Sequence, residues 1–235
     1  MINTQDMHEQ GAIEIDHLKR LIGPNNYILQ LLDSFTFRNH LCAVFDVLGQ
    51  NLYDYTKAMK SKAIPYDLVK KISKQVLIAL AYSHSHGVVH CDLKPENITF
   101  VSREDHDIRL IDFGSSCVPG EPLYEYIQSR YYRAPEVIFG QPYGPPMDMW
   151  SYALVVAELI IGETVFTGES NRDQLAKYIE VLGLPPLEMR TKGTQVKEFF
   201  TLSGYYKQEF GKEPITPGSV TIGQVIKSND EVLID

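Results

Sequence analysis

The sequence has no apolar run long enough to cross a membrane, no repeat of fixed period and no low-complexity tract. Membrane spans, solenoids and unstructured spacers are therefore not expected. Cysteine is scarce: Cys42, Cys91 and Cys117 are odd in number and show no C-x-x-C spacing. Neither a disulfide framework nor a zinc ribbon is indicated, and three free thiols are expected. Positive charge is also short, with 22 Lys and Arg against 30 Asp and Glu for a net charge of −8. A nucleic-acid backbone requires a concentrated basic surface, so nucleic acid is not an expected partner; basic peptides suit an acidic surface better. The polar opening from Met1 to Gln10 lacks the basic flank, apolar stretch and small-residue site of a secretory signal. The expected compartment is cytosol or nucleus.

What is present is enough for a folded domain. A chain of 235 residues that is 44% apolar and 22% charged can bury one full-sized core or two modest ones. From His8 to Leu21 the apolar spacing is helical, and Gly23-Pro24-Asn25-Asn26 breaks the chain. Tyr27 to Phe37 and His40 to Val47 read as strands joined by a turn at Arg38-Asn39. A helix follows Asn51, and Pro65 opens a longer one carrying Leu68, Ile72, Val76 and Leu80 on one face, ended by Gly87. Val88-Val89, Ile98 to Val101 and Ile108 to Ile111 are short apolar runs suited to small hairpins. Met147 to Ile161 reads as a helix apolar nearly all round and therefore buried, and Asp173 to Leu182 as one that Ser170 caps. Beyond Pro185-Pro186 the pattern weakens.

Three stretches carry chemistry: His90-Cys91-Asp92-Leu93-Lys94-Pro95-Glu96-Asn97, then Asp112-Phe113-Gly114, then Ala134-Pro135-Glu136. A single Asp or Asn in a loop is most often a turn-former; three such motifs in this order resemble the catalytic loop, magnesium loop and activation-segment end of protein kinases, which implies phosphoryl transfer. That reaction needs an oriented nucleophile and compensation of phosphate charge. Asp92 is placed to orient a substrate hydroxyl and accept its proton. Asn97 and Asp112 offer hard oxygen ligands for magnesium, and Lys94 balances charge on the transferred phosphate. His84, His86 and His90 form an H-x-H-x-x-x-H series, but no Asp, Cys or Glu completes a tetrahedral zinc set. Tyr126 stands ten residues before Glu136 with Arg130 and Arg133 behind it, and a phosphate on Tyr126 would find a guanidinium partner in either. Tyr131 and Tyr132 read equally well as aromatic packing.

The chain resembles the dual-specificity tyrosine-regulated kinases. The likeness is carried by Phe37-Arg38-Asn39-His40-Leu41-Cys42, Asn51-Leu52-Tyr53-Asp54, His90-Cys91-Asp92, Asp112-Phe113-Gly114-Ser115-Ser116-Cys117 and the Tyr124-x-Tyr126 loop. Gln50-Asn51-Leu52-Tyr53 and Ser129-Arg130-Tyr131-Tyr132-Arg133 also resemble the homeodomain-interacting kinases. The resemblance runs from about Met7 to Pro186. It implies a bilobal α+β kinase fold that uses ATP and Mg2+ and phosphorylates serine or threonine of protein substrates, often with a proline or arginine nearby. It also implies autophosphorylation on Tyr126. By the same likeness Glu14 is the helix acid that pairs with an ATP-positioning lysine, and Phe45 the gatekeeper behind adenine. Asp46 to Leu48 correspond to the hinge, and Asp148 to the anchor of the buried helix.

The pattern departs from the family at both ends. No G-x-G-x-x-G loop and no V-A-I-K strand precede Glu14, and Gly11 is the one glycine before it. We therefore expect residues 1–47 to form a reduced N-lobe and residues 48–235 a C-lobe without its last helices, with Asp230 to Asp235 opening a later one. Besides the enzyme, a kinase-derived docking or regulatory module, or a fragment without function, stays open at this point.

Overall fold

A computed structural model describes residues 5–59, 63–121, 126–208 and 214–227. Helix α1 (Gln5–Arg20) comes first. It turns Ile15 and Leu18 into the core, followed by Leu21 just past its end, each less than 9% exposed. Strands β1 (Asp33–Phe37) and β2 (His40–Val44) pair antiparallel in a register from Asp33↔Val44 to Phe37↔His40. Arg38 and Asn39 make the connecting turn with φ of 47° and 60°, the left-handed pair that a two-residue hairpin demands.

Both strands are shorter than the sequence suggests. Residues 28–32 follow a turn at Tyr27, and only Leu32 bonds to β2, donating to the Val44 carbonyl at 2.9 Å; the other bonds go elsewhere, Leu110 donating to the Tyr27 carbonyl at 2.8 Å and Leu29 donating to the Leu110 carbonyl at 3.0 Å. That segment ties the small sheet to Leu110 and adds a single bond to the β1–β2 ladder. Beyond Val44, β2 has no partner because β1 begins opposite it at Asp33.

Helix α2 (Leu52–Ala58) is capped by Asn51, whose Oδ1 accepts from the Asp54 amide at 2.8 Å. Helix α3 (Tyr66–Ser85) buries Val69, Ile72, Val76, Ala79, Leu80 and Ser83 along one stripe, and its neighbours are α5 (Pro145–Ile161) and the hairpin that follows α3. That hairpin is β3 (Ile98–Phe100) with β4 (Ile108–Leu110), antiparallel and almost wholly buried. Val88-Val89 does not form a strand; Val89 makes one two-way bridge with Cys117.

After α4 (Pro135–Ile138), helix α5 starts at Pro145 and ends at Gly162 with φ of 78°. The expectation that α5 is buried all round is corrected: it buries Met147, Asp148, Ser151, Leu154, Val155 and Leu159, while Met149 is 41% exposed. It packs one face against α3 and is not enclosed. Helix α6 (Asn171–Leu182) carries the expected Ser170 cap, with Oγ accepting from the Asp173 amide at 3.1 Å. Three short helices follow where the sequence pattern is weak: α7 (Leu187–Thr191), α8 (Val196–Phe199) and α9 (Ile222–Ile226). The helix expected over Asp230 to Asp235 lies outside the described residues, as does Tyr124. Among the described residues no helix is long and apolar enough to cross a membrane.

Candidate active site

The centre of the site is a loop held by a buried carboxylate. Asp148, fully enclosed on α5, accepts the backbone N–H of His90 at 2.8 Å and of Cys91 at 2.9 Å, and contacts His84 Nε2 at 2.8 Å. These bonds hold Cys91 at φ 68°, a left-handed conformation that costs a side-chain-bearing residue about 1 kcal/mol and persists only where its surroundings impose it. The His90 ring donates from Nε2 to the Ile111 carbonyl at 3.0 Å and accepts at Nδ1 from the Asp92 amide at 3.2 Å. It also packs edge-on against Phe113, with centroids 4.8 Å apart. His84, His86 and His90 therefore do not converge: His84 serves Asp148, His86 stacks on Tyr82, and His90 braces the loop.

On that frame the predicted side chains come together. Asp92 is half-buried. Its Oδ2 lies 2.6 Å from Lys94 Nζ, and its backbone carbonyl accepts from Asn97 Nδ2 at 2.9 Å. Its Oδ1 accepts both the backbone N–H of Ser129 at 3.0 Å and the Ser129 hydroxyl at 2.8 Å, and Lys94 Nζ also reaches Ser129 Oγ at 3.2 Å. Ser129 was not singled out from the sequence. It lies 37 residues from Asp92, and no local spacing connects them.

Asp112 is exposed, at φ 63°. Glu14 approaches it from α1: a Cβ built on Gly114 would stand 3.2 Å from Asp112 Oδ1 and 3.5 Å from Glu14 Oε2. Glycine keeps the space between the two carboxylates open. Burial, and next the Asp112 charge, push the Glu14 carboxyl above its ordinary pKa. At the hinge, Phe45 packs against the core. The backbone groups of Asp46, Val47 and Leu48 make no hydrogen bond among the described residues.

The donor set suits magnesium. Asp112 and Glu14 present facing carboxylates with no cation paired to either among the described residues, and Asn97, whose Nδ2 donates to the Asp92 carbonyl, has no partner at Oδ1 among them, leaving a hard oxygen ligand. The lysine expected to neutralise Glu14 has no counterpart among the residues before it.

The loop leading to α4 is ordered by one arginine. Arg133, 2% exposed, donates to the Ile127 carbonyl at 2.9 Å, the Gln128 carbonyl at 2.6 Å and Asn171 Oδ1 at 2.6 Å. Its guanidinium also lies 3.9 Å from the centre of the Tyr126 ring. A hydrogen bond from Arg133, aided by its charge and by Arg130, lowers the Tyr126 phenol pKa. Arg130 donates Nη1 to the Glu169 carbonyl at 2.8 Å, and its Nε is buried without a partner among the described residues. Tyr126 itself is 64% exposed. Both arginines expected beside it are there. Tyr132 is buried and donates to Glu158 at 2.7 Å, whereas Tyr131 is 41% exposed.

Comparison with known proteins agrees with this arrangement. The protein kinase domain family matches residues 2–207. The human "Dual specificity tyrosine-phosphorylation-regulated kinase 3" is 37% identical over 254 aligned positions, covering 98% of this chain and 43% of that protein. The Caenorhabditis elegans "Dual specificity tyrosine-phosphorylation-regulated kinase mbk-2" is 42% identical over 207 positions, 86% of this chain and 25% of that protein. The fission yeast "Serine/threonine-protein kinase ppk5" is 37% identical over 239 positions, 99% of this chain and 29% of that protein. The chain thus spans less than half the length of these curated relatives. With the kinase domain matched over most of its length and Asn97 bonded to Asp92 in one loop, the chain belongs to the protein kinase family, in its dual-specificity tyrosine-phosphorylation-regulated branch.

Proposed function

We propose that this protein transfers the terminal phosphoryl group of ATP to serine or threonine of protein substrates and phosphorylates itself on Tyr126. Residues 1–47 belong to the N-lobe and residues 48–235 to the C-lobe. The observation that carries the reading is the Asp92 cluster, in which one carboxylate is oriented by Ser129, offset by Lys94 and linked to Asn97. Asp92 accepts the hydroxyl proton of the substrate, and Lys94 holds negative charge at the same point. Asn97 and Asp112 hold magnesium, which when bound spreads the phosphate charge. Phe45 and the free backbone of Asp46 to Leu48 form the adenine slot. A cytosolic or nuclear setting, where thiols stay reduced, fits three free cysteines.

Two features support a basic, proline-containing substrate. Glu96 Oε2 is buried without a hydrogen-bond partner among the described residues, beside the Glu158–Tyr132 pair. Burial raises the Glu158 pKa and the Glu96 charge adds to the effect; no cation is paired with this cluster among the described residues, and a substrate arginine would supply one. Gln128, at φ 66°, turns its carbonyl to Arg133. A substrate residue docking there finds no acceptor for its N–H, and proline has none to offer.

The test is to incubate the purified chain with Mg-ATP and map phosphate. Phosphate on Tyr126 in the native protein and none in Asp92→Asn is the expected result; equal phosphate on both refutes self-phosphorylation.

A further inference from the structure

Helix α1 presents a polar stripe at Gln10, Glu14 and His17, spaced i, i+4 and i+7, so the three share one face. Each meets the same short segment. Gln10 Nε2 donates to the Gly114 carbonyl at 3.2 Å, Glu14 faces Asp112 across Gly114, and His17 Nδ1 lies 2.8 Å from Ser116 Oγ. The Gln10 bond is exposed, whereas His17 is 4% and Ser116 1% exposed. Ser116 spends its one hydroxyl hydrogen on the Phe113 carbonyl, 2.5 Å away. Toward His17 it can only accept, so His17 Nδ1 carries the hydrogen.

This contact bears on a strained residue. Asp112 holds a left-handed φ with a side chain present, a conformation that lasts only where neighbouring structure over-determines it. The local turn, Ser116 N–H to the Phe113 carbonyl at 3.0 Å, closes residues 113–116 but does not attach them to anything. Phe113 packs on His90 and Cys117 bridges Val89, and the polar attachment of the turn between them comes from α1, the element that also carries Glu14.

We propose that His17, assisted by Gln10, is a positioning residue that fixes the turn after Asp112 to α1, so that Asp112 and Glu14 move as one unit. The buried imidazole is explained by this role: leucine would fill the volume, but would leave the Ser116 hydroxyl without its donor. The inference rests on the phosphotransfer reading for its consequence, and on geometry alone for the coupling.

The experiment is amide hydrogen exchange on the whole chain, native and with His17→Leu and His17→Asn. Loss of a buried hydrogen bond accelerates local opening about tenfold. The expected result is that His17→Leu speeds exchange across residues 113–117 by about that factor, with α3 and α5 unchanged, and that His17→Asn, whose side-chain amide restores a donor near Nδ1, brings it back to within about threefold. Unchanged exchange in His17→Leu, equal acceleration in α3 and α5, or failure of His17→Asn to restore protection each overturns the proposal in favour of simple packing. A second measurement titrates magnesium into ADP binding, where His17→Leu should need about tenfold more magnesium for the same affinity. If the native chain binds no Mg-ADP the phosphotransfer reading falls, while the exchange result still decides the coupling.

Discussion

The hydroxyl of Ser129 and Oδ1 of Asp92 are 2.8 Å apart, and Lys94 Nζ touches both residues. A serine that belongs to the loop before α4 thus completes the environment of an aspartate in the loop after α3. Activation-loop order and the orientation of Asp92 are therefore one structural variable. Ser129→Ala deletes the hydroxyl donor and keeps the backbone N–H on Asp92. A hydrogen bond to a charged group contributes about 1.5–3 kcal/mol, so phosphoryl transfer to a peptide should fall roughly tenfold to a hundredfold. The melting temperature should barely move, because Ser129 is only partly buried. Unchanged turnover in a steady-state assay would show that the backbone contact suffices.

Asp148 carries more of the fold than of the chemistry. Removing its carboxylate leaves the His90 and Cys91 amides buried without acceptors and releases the strained Cys91 conformation. Each such orphan costs about 1–3 kcal/mol. Asp148→Ala should lower unfolding stability by roughly 3–5 kcal/mol in urea titration. A loss below about 1 kcal/mol would mean that water or the His84 side chain replaces it.

Gly193 tests how the segment after α6 is seated. Its φ is 116°, and a Cβ there would lie 2.4 Å from the Phe139 carbonyl oxygen, a contact that a flexible side chain cannot relieve. The same strip is closed by Gln195 N–H to the Phe139 carbonyl at 3.0 Å and by Gln141 Nε2 to the Met189 and Lys192 carbonyls. Gly193→Ala should cost roughly 3 kcal/mol. Chemical denaturation that registers no change would indicate that residues 187–195 detach without affecting the core.

Much of this was legible without coordinates, for a physical reason. The helix at α3 announces itself by an apolar stripe with a proline before it and a glycine after it, and Ser170 by the acid three residues on. Asp92, Lys94 and Asn97 are legible because one short loop must hold them all. Ser129, Gln128 and the acidic pair Glu96 and Glu158 were not, since each acquires its role from a partner far away in the chain. Residues 27–32 read as strand because their composition suits extended backbone, and composition does not say that Leu110 takes the bonds of Tyr27 and Leu29 while β2 takes only that of Leu32. Helices α7, α8 and α9 are too short to show a period.

Glu136 gives the pH dependence with the clearest sign. Burial raises its carboxyl pKa above the ordinary 4.5, and the hydrogen bond from its own backbone offsets this only in part. The folded chain therefore holds a proton there more tightly than the unfolded chain does. Stability from this group is complete below about pH 4.5 and is lost as pH rises through the folded pKa. Glu136→Gln removes the titration while keeping shape and hydrogen-bonding capacity. Urea midpoints of the two proteins measured from pH 4 to pH 8 should coincide most closely at the acid end, with the variant the more stable at neutral pH and above. Burial likewise raises the carboxyl pKa of Glu14 and Glu158, but those groups titrate in both proteins and cancel from the difference. Parallel curves across the whole range would mean that the Glu136 carboxylate is compensated in the folded chain, and the sign argument would be wrong.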